Sequence, residues 1–237
     1  MQTLKRTERP SYSHRYSRRR KKRRRLRRPV LILLILLCAL TVFGLGLGIY
    51  SLLSEEKMVD PVYPDSVYGV PVHTVLMPEE LEARTGVKRT IRYIVVHETG
   101  NTSVGADAEN HSEYLSGGKG GETSWHYTVD DHEIYHHVPD DEVAWHAGDT
   151  RNPEGGNAHG IGIELCVNAD GDFEKTLDNG AKLVAYLLRA YDLDLSAVTQ
   201  HADYMEKNCP QTLRDSGRWE EFLGMVEACY KAHTADS

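Results

Sequence analysis

The sequence predicts an α/β domain, a central mixed β-sheet flanked by helices, preceded by one transmembrane helix. Three observations predict it. From about residue 76 onward, short β-branched runs interleave with segments of helical period, the pattern of a sheet covered by helices. Residues 30–53 hold no charged side chain, whereas a bilayer core about 30 Å thick needs about 20 helical residues to cross it. The charge of the 237-residue chain is split: residues 1–28 carry 14 Lys and Arg against the single acid Glu8, a balance of +13, and the rest carries −20, for a net charge of −7. The chain thus divides into a basic segment 1–28, a transmembrane helix 29–53, a linker 54–75 and a folded domain 76–233.

Topology follows from the charge split. A cleavable secretory signal has an apolar region of about 7 to 15 residues and a small-residue cleavage site; the run here is longer and lacks a clean site, which favours an uncleaved anchor. Basic residues beside a membrane helix stay in the cytoplasm, so the run "RRRKKRRRLRRP" places the N-terminus inside and everything after Leu53 outside. Read alone, the run also suits a nucleic-acid arm. Its position against the helix favours the topological role, with attraction to anionic lipid of about 1 kcal/mol per basic residue, and no nucleic-acid partner is expected. The expectation is a single-pass protein of the cell membrane with an extracellular domain.

Beyond the anchor, "SEEKMVDPVYPDSVYGVPVH" has no helical period and reads as an extended tether. "MPEELEARTG" predicts a short helix opened by Pro78 and closed by Gly86. "IRYIVVHET" predicts a strand through His97, and "ADAENHSEYLSGG" a helix stopped by Gly117 and Gly118. "SWHYTVDDHEIYHHV" predicts two strands turning at Asp130 and Asp131. "GIGIELCVN" predicts a strand ending at the turn "ADGD". "LDNGAKLVAYLLRAYD" has helical period, "SAVTQH" is a short strand ending at His201, and "RWEEFLGMVEACYKAH" is a closing amphipathic helix.

Four cysteines are too few for a disulfide-built domain. Cys38 suits a small apolar residue in the membrane. Cys166 and Cys229 fall in apolar patterns and suit buried thiols, with a bridge among the outer cysteines left open by an oxidising exterior.

Catalytic zinc sites use three protein ligands drawn from His, Cys and carboxylates and keep a fourth position open. His97 and His201 at strand ends, with Cys209 in the loop after the second, meet that count. By spacing alone the signal is weak: among 12 histidines, a His and a Cys eight apart also suit ordinary surface or core positions.

The residues around these three are more specific. "IVVHETGN", "SWHYTVDDHEIYHHVPDDEVAWHAGD", "GIGIELCVN" and "QHADYMEKNCP" occur in this order. Together they resemble the zinc-dependent N-acetylmuramoyl-L-alanine amidases of the type 2 family, which share the peptidoglycan recognition protein fold. The resemblance spans residues from about 76 to 230. It implies that His97, His201 and Cys209 ligate Zn2+, that Glu164 is the catalytic glutamate, and that Lys207 helps stabilise the transition state. The implied reaction is hydrolysis of the amide between N-acetylmuramic acid and L-alanine in peptidoglycan, most simply in a Gram-positive bacterium.

The chemistry is consistent with those residue types. An amide is a poor electrophile, so a Lewis acid polarises its carbonyl and activates the attacking water. A carboxylate such as Glu164 relays the proton to the leaving nitrogen, and a lysine such as Lys207 supplies preorganised positive charge beside the oxyanion. Glu164 also admits a reading as a strand residue paired to a surface base, although it interrupts an apolar strand where an unpartnered carboxylate is costly. Lys207 alone would be an ordinary exposed lysine.

Trp145 and His146 in "AWHAG" match a motif near the family's substrate groove and equally suit a core pair, since a buried Trp seeks a hydrogen-bond partner. Trp125 is a further candidate for substrate contact, standing where many phage-type members have tyrosine. His126 suits a structural role supporting the ligands. His136 and His137 are adjacent on a strand, point to opposite faces and cannot both line one site. Before "IGIEL" the family often has Ser, whereas this chain has His159 and Gly160. A non-catalytic peptidoglycan-binding module of the same fold is the alternative function; it would be free to lose Cys209, Glu164 or Lys207. A structural zinc protein would need four closed ligands.

Overall fold

The computed structural model describes residues 28–53 and 58–233. The basic segment, but for Arg28, lies outside them. The chain forms two compact units, residues 1–55 and 56–237. The first contains one helix, α1 (Arg28–Leu53), where the transmembrane helix is expected. Its described apolar side chains, among them Ile35, Leu36, Leu40 and Phe43, are exposed. Taken over the described residues, no helix is long and apolar enough to cross a membrane. A helix stands at the expected place, and the expected membrane span is not borne out among the described residues.

The second unit is built on a seven-stranded sheet. In chain order its elements are β1 (Ser66–Val67), β2 (Val70–Thr74), β3 (Tyr93–Glu98), α2 (Ala108–Ser116), β4 (Tyr127–Val129), β5 (Ile134–His136), α3 (Gly156–His159), β6 (Gly160–Leu165), α4 (Phe173–Ala190), β7 (Val198–Gln200), α5 (Gln211–Asp215) and α6 (Trp219–Ala232). The spatial strand order is β1-β2-β5-β4-β6-β3-β7. β1 with β2 and β4 with β5 pair antiparallel; the remaining neighbours pair parallel. The sheet is mixed and carries helices, as the sequence predicts.

Strand period decides what each face does. Ile94 and Val96 of β3 and Ile161, Ile163 and Leu165 of β6 point into one core. They meet Leu177, Ala181, Val184 and Leu188 of α4 and Phe222 and Val226 of α6. Those α4 positions recur every three or four residues, one face of a helix. Asp172 caps α4, its side chain accepting the Lys175 N–H at 3.3 Å. α4 approaches β6 so closely that a Cβ on Gly180 would lie 2.6 Å from Leu165 Cδ2. The alternate residues of the same strands, His97 of β3 and Gly162 and Glu164 of β6, face the other way, and the site lies there.

The β4–β5 hairpin turns where expected. Asp130 Oδ1 accepts the N–H groups of His132 and Glu133 at 2.7 and 2.8 Å, while Oδ2 accepts Ala108 N–H at 2.9 Å and ties down the start of α2.

Several elements differ from expectation, among them the short helix α3, which the sequence does not predict. Residues 66–74, read as part of a tether, form β1 and β2 and extend the sheet, with Val67, Val70 and Val72 buried in its core. Residues 77–86 form turns rather than a helix: Leu81 N–H donates to Pro78 O and Arg84 N–H to Leu81 O. A helix so short is marginal on its own, and Arg84 instead spends its guanidinium on Met77 O and the Glu142 carboxylate. The short helix α5, directly after Cys209–Pro210, has no counterpart in the sequence reading.

Candidate active site

Three parallel strands deliver the site at their carboxyl ends, where ligand sites of α/β sheets collect. In the β3–β6 register His97 stands opposite Glu164. In the β3–β7 register Val96 stands opposite Gln200, so His201 follows at the end of β7 beside His97. The result is compact: His97 Nδ1 is 2.8 Å from His201 Nδ1 and 3.9 Å from Glu164 Oε1.

Cys209 reaches the same point from a closed loop. Ala202 N–H donates to Cys209 O at 3.1 Å, and Lys207 N–H and Cys209 N–H donate to Met205 O and Lys207 O. The Cys209–Pro210 peptide is cis. Cys209 Sγ lies 4.0 Å from His97 Nδ1 and 4.0 Å from Glu98 O. Glu98, the last residue of β3, holds the far side of this loop: its buried carboxylate accepts the N–H groups of Thr212 and Leu213 at 2.7 and 3.1 Å. One strand end thus supplies a ligand candidate, His97, and the clamp for another, Cys209.

The remaining wall is the segment before α3. His146 Nδ1 lies 3.0 Å from His97 Nε2, and His146 Nε2 lies 3.0 Å from Gly160 O. Asn157 Oδ1 accepts the N–H groups of His146 and Ala147 at 2.8 and 2.7 Å. Asp149 in turn accepts the Gly156 and Asn157 N–H groups.

Burial sets the protonation of this cluster. It holds His97 well below its ordinary range, helped by the His146 and His201 imidazoles, and brings His201 to about 4, helped by the positive charge of Lys207. His146 is lowered by burial to about 3. The histidines are therefore neutral at pH 7, the form that binds metal. Burial pushes Glu164 up to about 7, against the pull of Lys207, which suits a group that takes and returns a proton. Burial and then Glu164 push the Cys209 thiol up to about 11.

Two clefts flank the cluster. One, about 760 Å³, is lined by Cys209, Glu98, Thr99, Asn168 and Thr212; the other, about 840 Å³, by His201, His146, Trp145, Arg151 and Met205. Lys207 is exposed and lines both.

Of the sequence candidates, His97, His201, Cys209 and Glu164 come together, Lys207 lines both adjoining clefts, and Trp145 and His146 line the second. Trp125 does not join them: it is buried in a small core with Met77, Leu115 and Val138, its indole N–H donating to Thr128 Oγ1 at 2.7 Å. His126 is fully buried behind the site, its Nδ1 accepting Gly162 N–H. His136 stacks on Tyr127 and His137 contacts Thr128, both away from the ligands. All four cysteines are free thiols, Cys166 buried and Cys229 half-buried. The sequence reading missed Glu98, Asn157 and Gly162. Glu98 carried a local signal, an acid ending an apolar strand next to His97.

The three candidate ligands fit a zinc ion. Among the described residues, His97, His201 and Cys209 form a group whose ligand atoms all lie within 4.8 Å of one another, and it comprises three residues. Two imidazoles and a thiol are the donor set of catalytic rather than closed structural zinc. Beside them Glu164 Oε2 is buried with no hydrogen-bond partner, a polar atom left for something the site takes up.

Comparison with known proteins agrees with this geometry. The family model Amidase_2, described as N-acetylmuramoyl-L-alanine amidase, matches residues 87–212. The chain is 42% identical over 152 residues to the N-acetylmuramoyl-L-alanine amidase CwlH of Bacillus subtilis (64% of this chain, 59% of that protein), and 44% identical over 146 residues to XlyA of the same organism (62% and 48%). It thus spans about half to three-fifths of these relatives' lengths. The solved catalytic domain of XlyA superposes with a TM-score of 0.62 at 42% identity, covering 66% of this chain and 99% of that one. Fold, site and matched span lead to one statement: the chain belongs to the N-acetylmuramoyl-L-alanine amidase family.

Proposed function

We propose that the chain is a zinc-dependent amidase that hydrolyses the bond between N-acetylmuramic acid and L-alanine in peptidoglycan, held at the outer face of a cell membrane by its N-terminal helix. The observation that carries this reading is the convergence of His97, His201 and Cys209 within 4.8 Å, with Glu164 Oε1 3.9 Å from His97. A zinc ion bound by these three would supply a Lewis acid for the amide carbonyl and acidify the attacking water. Glu164, raised to about 7, takes the proton of that water and returns it to the leaving nitrogen. Lys207, on the rim of both clefts, places its ammonium beside the carbonyl oxygen as charge develops there. Two clefts border the cluster, one beside Cys209 and one beside His201, and offer room for glycan and peptide.

The anchor rests on sequence: an uncharged run at residues 30–53 after a strongly basic segment. Release of L-alanine amino termini from purified cell walls by the detergent-solubilised full chain tests the enzymatic reading. Expected is release that stops on chelation and returns with zinc. Wall binding with no release would instead assign a non-catalytic binding module. Retention in membranes after alkaline extraction, with the domain cut by protease added outside intact cells, tests the anchor. A protease-resistant domain would overturn that topology.

A further inference from the structure

We infer that His146 is a positioning residue that selects the tautomer of His97. The inference rests on the proposed function only in taking His97 as a metal ligand. It begins at Gly160, whose carbonyl can only accept. His146 Nε2, 3.0 Å away, must therefore carry a proton. A neutral His146 then presents Nδ1 as an acceptor, and that atom lies 3.0 Å from His97 Nε2. His97 Nε2 donates, which leaves the lone pair on Nδ1. Nδ1 is the atom that faces the site, 2.8 Å from His201 Nδ1 and 4.0 Å from Cys209 Sγ. With the proton on Nδ1 instead, His97 would have no lone pair there to give, and two acceptor nitrogens would oppose each other at 3.0 Å.

The surroundings keep the His146 ring in that pose. Its backbone N–H is held by Asn157 Oδ1 at 2.8 Å. Its ring packs against β6 where position 162 has no side chain: a Cβ on Gly162 would stand 2.6 Å from His146 Cγ and 2.8 Å from Nδ1. Gly162, two residues before Glu164 on the same face of β6, thereby belongs to the support of His97. A ligand histidine commonly passes its second N–H to a carboxylate or carbonyl. Here a second imidazole stands between the ligand and the carbonyl, so the preference is transmitted through the His146 tautomer.

Full-length protein labelled with 15N-histidine tests this without substrate. Long-range 1H–15N correlations on the zinc-free chain should show His97 protonated at Nε2 and bare at Nδ1. Titration against a chromophoric chelator should show zinc binding weakened about 10- to 100-fold in His146→Leu. Binding should be largely restored in His146→Asn, whose side-chain oxygen can sit near the Nδ1 position. A wild-type His97 protonated at Nδ1 would overturn the inference. So would a folded His146→Leu variant with wild-type zinc affinity, or His146→Asn binding no better than His146→Leu. The wild-type spectrum requires no variant to fold. The expected tautomer in a chain that releases no amino termini from cell walls would count against the enzymatic reading and leave this inference standing.

Discussion

His97 and Glu164 stand opposite each other on neighbouring parallel strands, with imidazole Nδ1 and carboxylate Oε1 3.9 Å apart. Sheet register fixes this relationship, so the carboxylate cannot drift from the ligand cluster without breaking the β3–β6 ladder. A group in that place is within reach of a nucleophile at the cluster, yet it is not among the three residues that converge to hold an ion.

Glu164→Gln should therefore separate chemistry from metal binding. The amide keeps the shape and cannot take a proton. Zinc content should stay at the wild-type level while amide hydrolysis falls by about 10²- to 10⁴-fold. Metal analysis beside a cell-wall digest measures both, and undiminished hydrolysis would remove Glu164 from the mechanism.

Glu98→Ala should damage the Cys209 side of the site. Two N–H groups of α5 lose their acceptor, at a cost of about 1–3 kcal/mol for each group left buried and unpaired. Chemical denaturation should show a stability loss of that order, together with weaker zinc binding as the Cys209 loop loosens. Unchanged stability and zinc affinity would show that the loop holds itself.

These residues mark how far the sequence could be read. His97 and His201 were legible because each ends a short β-branched run, and Glu164 and Cys209 because an ordered motif surrounds each of them. β2 was not, since "VPVHT" is five residues long, contains a proline and follows a Pro-rich stretch; only its partner β5, some 60 residues later, makes it a strand. The turns at 77–86 were misread because Arg84 bonds Glu142, a partner outside the window. Asn157 and Gly162 acquire their meaning from His146, 11 and 16 positions away, and no periodicity outlines the small core that holds Trp125.

Acid should destabilise the zinc-free chain through its neutral buried histidines. Burial holds His137 and His146 at about 3 and His126 well below its ordinary value, whereas an unfolded histidine titrates near 6.5. The unfolded chain binds these protons first, so stability present above pH 6.5 is lost as pH falls toward 3. Glu164, raised to about 7, acts in the opposite sense between pH 7 and 4.5, and the three histidines outweigh it. The urea midpoint should fall steadily from pH 7 to pH 4.5, with a shallower fall in His137→Gln. A flat profile would contradict neutral burial.

Zinc uptake should release protons. The Cys209 thiol, pushed up to about 11, binds metal as the thiolate, whereas the neutral imidazoles have none to lose. At pH 8.5, calorimetry in buffers of different ionisation enthalpy should register about one proton more per zinc in the wild-type chain than in Cys209→Ala, since the zinc-bound water, its pKa brought down to about 7, gives up its own proton in both. Equal release in the two would indicate that Cys209 does not ligate.

The central claim is that His97, His201 and Cys209 hold one zinc and leave a coordination position open. Zinc-edge X-ray absorption of the loaded full-length protein tests it most directly. The account predicts one sulfur at about 2.3 Å and two imidazole nitrogens at about 2.0–2.1 Å, with a further light atom from solvent. A shell without sulfur, or one closed by four protein ligands, would contradict it.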